Sequence, residues 1–362
     1  MLPQSKKEFI GYLHAFRGIA ILAIMGAHAW SGLGERAWSG PGVQSDILSS
    51  TGFQWLYATT EGLFHGTTLF FALISGILVT RVLRGMPWRR FYRNKFTNVI
   101  LPYLVVSTLL TVIVWPEILA YLKAHDVHAS FTQILLYNFA TGRAEVQLWY
   151  IPVLAVLYLM TPLLELMLRF RNGVLVLVLA LVPLVVSRTV SPDLLSLKSI
   201  IYFLGAYGFG MYLGERLEVM LALVRKFRFV LLALFSTSLI VNFLLFLWDY
   251  TPTEFVSLQQ VVVYINKLSA ALLIMEHLHA RQDRIPRLLQ TLGTYAFSLY
   301  FLHFTVMKGL DTALIYVIPG MRVPAVAFGG LAVYLVGISL TLLLCIVLKK
   351  LFGRYSRMVI GA

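Results

Sequence analysis

The chain has 362 residues, of which 59% are hydrophobic and only 13% charged, where globular domains run to roughly 45–50% apolar and about 25% charged. So few charges cannot clothe a water-facing surface, so composition excludes a soluble enzyme, and a mean hydropathy of +0.80 points to a polytopic membrane protein. The formal charge of +14 leaves two readings, nucleic-acid binding or membrane orientation, and the distribution of the basic residues decides between them.

A membrane-spanning helix needs about 20 predominantly apolar residues. In chain order, windows of this kind fall at 12–31, 62–81, 97–116, 147–167, 173–190, 199–214, 229–248, 256–275, 291–310 and 324–348. The first follows the segment MLPQSKKEF, has no small-residue cleavage site and contains Arg17, Gly18 and His28, so it reads as a retained span rather than a signal peptide. All ten are continuous apolar runs, not the alternating ten-residue strands of a barrel. The expected fold is an all-α polytopic membrane protein of about ten transmembrane helices, one domain over residues 1–362. Two longer segments, 32–61 and 117–146, are expected as outer loops.

Placing the amino terminus in the cytoplasm puts 22 of the 30 Lys and Arg residues on that side and 7 on the other, with Lys267 inside the eighth window. Cytoplasmic loops carry the excess of Lys and Arg, so both termini are expected in the cytoplasm. The positive charge is thus accounted for by topology, and nucleic acid is not an expected partner. The lone Cys345 has no second thiol for an internal disulfide and no Cys/His spacing for a metal; no metal is expected.

An ionisable side chain within a span is costly and marks a functional site by default. In the first window, Arg17 and His28 are eleven residues apart, about 20° from three whole helical turns and roughly 16 Å along the axis. They share one face, a cation near the cytoplasmic surface and an imidazole deep in the membrane, as a tunnel for an anionic donor requires. A snorkelling Arg with a His satisfied by a neighbouring helix fits the same spacing. Tyr300 and His303 share a face in the ninth window, close enough to the outer half to meet His28. Glu61 and His65 are spaced for an i,i+4 pair, functional or merely interfacial. Lys267 either pairs with a carboxylate or projects into a cavity. Glu276, His277 and His279 read as a solvated helix end, and His125, Asp126 and His128 as a polar loop. The run RVLRGMPWRRFYRNKF, residues 81–96, combines six basic residues with Trp88, Phe91 and Tyr92. It suits anionic lipid head groups or, equally, the phosphates and base of a nucleotide. No P-loop is present.

Four blocks of the chain resemble the acyltransferase-3 superfamily of integral membrane acyltransferases. They are LHAFRGIAILAIMGAHAW, with Arg17 and His28; GTTLFFALISGILVTRVL, with Leu69, Phe70, Phe71, Ser75 and Gly76; RRFYRNKFTNVILPYLVVS together with QLWYIPVLAVLYLMTPLL; and LGTYAFSLYFLHF, with Ser298, Tyr300 and His303. Thr68 and Gln147 depart from residues frequent in the family, and the basic pair Arg90 and Arg93 stands five residues earlier than the family's. The resemblance implies a stand-alone bacterial inner-membrane O-acyltransferase that uses acetyl-CoA or another acyl-CoA as co-substrate. Its acceptor would be a hydroxyl of an exopolysaccharide, O-antigen or lipid-linked saccharide. It implies that His28 is the essential histidine, supported by Arg17, and that an Arg-x-x-Arg pair meets the CoA phosphates; Arg90, Arg93 and Lys95 are the basic residues on offer. His28 would act as general base or as covalent acyl carrier. Tyr300, Ser298 and Arg17 are candidates to stabilise the oxyanion, and His303 to orient or assist. Membrane lipids and polysaccharide synthesis or export proteins are the further expected partners. The competing readings are a saccharide transporter or flippase, and a non-catalytic membrane subunit of a polysaccharide export complex.

Overall fold

The computed structural model describes residues 11–39, 50–188, 195–248, 256–318 and 323–362, the side chains of 31–39 excepted. Every regular element among the described residues is helical. In hydrocarbon no water is at hand for backbone N–H and C=O groups, and a helix satisfies them within one segment. The principal helices are α1 (Gly11–Ser39), α2 (Thr51–Phe64), α3 (Thr68–Arg81), α4 (Trp88–Lys95), α5 (Leu101–Ile113), α6 (Trp115–Ala124), α7 (Phe131–Thr141), α8 (Tyr150–Arg169) and α9 (Val174–Leu181). After them come α10 (Leu197–Glu215), α11 (Leu217–Lys226), α12 (Arg228–Leu247), α13 (Leu258–Ala280), α14 (Arg287–Thr294), α15 (Ala296–Val317), α16 (Val323–Phe352) and α17 (Ser356–Val359).

Seven helical stretches among the described residues are long and apolar enough to cross a membrane, which makes this an all-α polytopic membrane protein. Each of the ten sequence windows overlaps a helix, and the boundaries shift for identifiable reasons. Window 147–167 and the first part of window 173–190 fall in one 39-residue stretch, Val146–Leu184, parted into α8 and α9 at Arg171 (φ 40°) and Asn172 (φ 60°), which are left-handed; residues 189 and 190 of the second window lie outside the described residues. Windows 199–214 and 291–310 coincide with α10 and with α14 and α15, outside the seven stretches; Lys308 and Asp311 lower the apolarity of α15.

The two segments expected as outer loops contain helix. α1 runs on to Ser39, and α2 starts at Thr51 because Ser50 Oγ accepts the Phe53 N–H at 3.3 Å, an N-cap. The chain then breaks at Gly66, whose φ of 75° favours glycine and whose Cβ position lies against Val263, before α3 resumes. In the second segment Ser130 and Gln133 form a reciprocal capping box at the start of α7. At the start of the third window, residues Phe96–Ile100 widen into a π-turn. Pro102 follows, has no N–H to return to residue 98, and a local widening of this kind absorbs the missing bond.

α1 is the hub. It packs against α2, α3, α13, α14, α15 and α16, with Leu13, Phe16, Ile21 and Met25 fully buried. α3 and α10 make the closest pair: a Cβ at Gly76 would strike the Tyr207 carbonyl, and one at Gly210 the Leu73 carbonyl, so small residues set the approach of the backbones. Outward-facing apolar residues such as Phe229 on α12 and Phe328, Leu335 and Val347 on α16 suit a lipid-facing surface. At one end of the bundle the basic residues gather in ion pairs, Arg81 with Glu218 (3.7 Å), Arg84 with Glu215 (3.6 Å) and Arg225 with Glu276 (2.9 Å). This is the end that the sequence assigns to the cytoplasm, called here the basic end.

Candidate active site

α1 carries its two sequence-flagged residues to different neighbourhoods. Towards the basic end, the Arg17 guanidinium lies 5.4 Å from the centroid of the Phe297 ring of α15, and Arg17 is an electrostatic neighbour of Tyr158 on α8 and of Lys95 on α4. Lys95 Nζ sits 4.4 Å from the Tyr158 ring centroid and 5.4 Å from that of Phe91, and the Tyr158 hydroxyl lies beside Ser75. Five helices, α1, α3, α4, α8 and α15, thus meet around the two cations. Arg90 and Arg93 do not join them. They are exposed on α4, while Phe91 turns inward and Lys95 is partly buried on the same face; residues four apart share a helix face. Beside this group, α3, α4, α8 and α10 enclose a cavity of about 440 Å³ lined by Arg84, Trp88, Phe91, Glu165, Arg169 and Glu215 among others.

Farther along α1, His28 meets His303 of α15, ring centroids 5.4 Å apart with an interplanar angle of 41°. Phe304 closes on His28 edge-on at 5.2 Å. His303 is fully buried, and its Nδ1 lies 2.9 Å from the Leu299 carbonyl and 3.0 Å from that of Tyr300. A carbonyl only accepts, so Nδ1 carries the proton and Nε2 keeps a lone pair. Nε2 has no hydrogen-bond partner among the described residues. The pair therefore places a buried imidazole of fixed tautomer beside His28.

A family model described as an acyltransferase domain matches residues 10–350. The chain belongs to the acyltransferase-3 family. It is a multi-pass membrane acyltransferase that transfers a group other than an aminoacyl group. No curated protein and no solved structure matches it.

Within this acyltransferase, the Tyr300 hydroxyl donates to the Gln147 carbonyl at the head of α8, so its one O–H is engaged by the main chain rather than held open for an oxyanion. Gln147 Nε2 in turn donates to Glu145 Oε2 at 2.8 Å, and Thr305 Oγ1 reaches the same carboxylate at 2.9 Å. Burial raises the Glu145 carboxyl above its usual range. This network ties the start of α8 to the helix that bears His303. Ser298 Oγ and the Tyr150 hydroxyl are buried with no hydrogen-bond partner among the described residues. Tyr150 is a residue that sequence reasoning passed over: it stands in the Leu-Trp-Tyr block, but nothing in its spacing says that its hydroxyl is left unpaired.

Other flagged residues lie elsewhere. Glu276 pairs with Arg225, while His279 packs against Tyr12 with centroids 5.0 Å apart, and His277 contacts Arg281. His125 stacks on Tyr121, and His128 reaches Asp126 at 3.8 Å on the exposed surface. Among the described residues no three His, Cys, Asp or Glu side chains converge as metal ligands. Cys345 is buried.

Proposed function

We propose that this acyltransferase moves an acyl group, acetyl in the simplest case, from a cytoplasmic acyl-CoA to a hydroxyl of an extracytoplasmic or lipid-linked glycan, in a bacterial inner membrane. The observation that carries this reading is the contact of His28 with His303 of α15, His28 lying on the same helix as Arg17, with Lys95 beside Arg17. A polyanionic donor entering at the basic end meets two cations, and its thioester then follows α1 towards His28. The acceptor hydroxyl comes from the opposite end.

In the base mechanism His28 takes the hydroxyl proton as the oxygen attacks the thioester carbonyl. The C–O ester bond forms, the C–S bond breaks, and the proton passes to the departing CoA thiolate. In the carrier mechanism the His28 imidazole takes the acyl group first and yields it to the hydroxyl, with the same overall balance. His303, a lone-pair acceptor beside it, orients His28 or holds the proton in transit. Such proton transfer is worth about 10²–10⁴-fold. The glycan and the polysaccharide synthesis or export proteins that handle it are the partners this reading names.

The test is mass spectrometry of surface glycans from cells carrying the wild-type or the His28→Ala protein at equal abundance. Loss of one ester is expected; an undiminished ester overturns the role of His28. Incubating purified protein with radiolabelled acetyl-CoA and no acceptor separates the two mechanisms, since only a carrier retains label in a His28-dependent way.

A further inference from the structure

A second polar cluster stands apart from the histidine pair. His65, just past the last turn of α2, has Nδ1 2.9 Å from Glu61 Oε2, and Arg188 Nη2 lies 2.9 Å from His65 Nε2. A guanidinium only donates, so Nε2 accepts, Nδ1 carries the proton and donates to Glu61, and the imidazole is neutral. Arg188 Nε donates to Gln260 Oε1 of α13 at 2.9 Å, and its guanidinium lies 5.8 Å and 5.9 Å from the ring centroids of Trp149 and Tyr202. Lys267, only 3% exposed, donates to the carbonyls of Gly62 (3.2 Å) and Leu63 (2.9 Å). Glu61 is the electrostatic neighbour of both cations.

Among the described residues the charges do not balance. Two cations face one carboxylate and a neutral imidazole, and among the described residues no second carboxylate stands against Arg188 or Lys267. A buried cation without a counter-charge is expensive. Carbonyl groups relieve Lys267 in part, yet they bring no negative charge. Both cations also keep donors in reserve: no hydrogen bond among the described residues uses Arg188 Nη1, and Lys267 directs two of its three N–H groups to carbonyls.

The cluster borders the same end of the bundle as the histidine pair. Trp30, two residues after His28, stacks on Phe64, the residue before His65, with centroids 6.1 Å apart. On the other side, Trp149 beneath Arg188 is two residues from Gln147, which receives the Tyr300 hydroxyl.

We infer that Glu61, His65, Arg188 and Lys267 form an oxyanion-binding site that holds a carboxylate or phosphate of the acceptor while a neighbouring hydroxyl is offered to His28. This rests on the acyl-transfer reading above. The Arg fork suits two oxygens of one oxyanion, Lys267 adds a point charge, and the bound anion supplies the missing negative charge. Glu61 fixes His65 and Arg188 and opposes the anion, which keeps binding reversible.

The experiment is thermal unfolding of the purified protein in nanodiscs, titrated with glucuronate, glycerol 3-phosphate and neutral glucose at matched ionic strength. A rise in midpoint with at least one anionic probe and none with glucose supports the site; glucuronate alone identifies a carboxylate, and glycerol 3-phosphate alone a phosphate. Arg188→Met is expected to abolish the shift. Glu61→Gln, which leaves the cations in place, is expected to tighten the anion about threefold, as the loss of a nearby repelling charge requires. No anionic shift in wild-type protein, or weaker binding in Glu61→Gln, overturns the proposal. The shift is expected to survive in His28→Ala, so failure of the site and failure of the acyl-transfer reading are read from different variants.

Discussion

The proton on His303 Nδ1 is held by two main-chain carbonyls, which makes the two nitrogens separable by substitution. His303→Asn retains a donor near Nδ1 and removes Nε2, whereas His303→Gln places a polar group near Nε2 and gives up the main-chain contact. If Nε2 serves proton transfer, kcat is expected to fall about 10²–10⁴-fold in His303→Asn at unchanged folded yield and as far in His303→Gln, whose amide takes up no proton; partial recovery in His303→Gln would mean that Nε2 only orients His28. Equal kcat in His303→Asn and wild type would make the residue purely structural. The Arg17 and His28 pairing could be read from the sequence, because eleven residues nearly close three helical turns. Their surroundings could not: the 5.4 Å contact of His28 with His303 joins residues 275 positions apart on helices whose mutual rotation is set by packing.

At the scale of elements, α4 shows how helical phase sorts a basic run. Phe91 and Lys95 lie four apart with Phe91 buried and Lys95 partly buried, while Arg90 and Arg93 are exposed. Donor recognition through the inner face predicts that Lys95→Met raises KM for acyl-CoA about tenfold or more while Arg93→Gln changes it less than threefold, since charge-assisted contacts of about 1.4–3 kcal/mol correspond to such factors. Steady-state kinetics with acetyl-CoA check this, and the reverse order would move the donor to the outer face. The sequence offered Arg90, Arg93 and Lys95 together; which of them faces inward depends on where Phe91 finds a hydrophobic partner. The same limit explains the π-turn at Phe96–Ile100 and the helices inside the expected loops: Pro102 and the Ser130–Gln133 box are local signals, readable once boundaries are sought residue by residue, but apolar windows average over them.

For the whole molecule, the gathering of the basic end in ion pairs such as Arg225–Glu276 gives the asymmetry a spatial form. The one native cysteine, Cys345, is buried, so single cysteines introduced at exposed sites report sidedness against a quiet background. The expected placement of both ends in the cytoplasm predicts that Arg354→Cys reacts with a membrane-impermeant maleimide only after membrane lysis and Tyr137→Cys in intact cells freed of any outer barrier; the reverse pattern would invert the topology. Composition and the continuous apolar runs together determined that this chain is a helical membrane protein, because a bilayer tolerates neither many charges nor unsatisfied backbone groups. Hydrophobic period and residue type then picked out Arg17, His28, Tyr300 and His303, and the ordered blocks pointed to the family. Only the tertiary structure decided that His28 faces His303, that Tyr300 spends its hydroxyl on Gln147, and that Lys95 rather than Arg90 or Arg93 stands with Arg17. It also brought Arg188 to His65 across 123 positions. Those facts depend on which faces of distant helices meet, and side-chain packing fixes that where local periodicity does not.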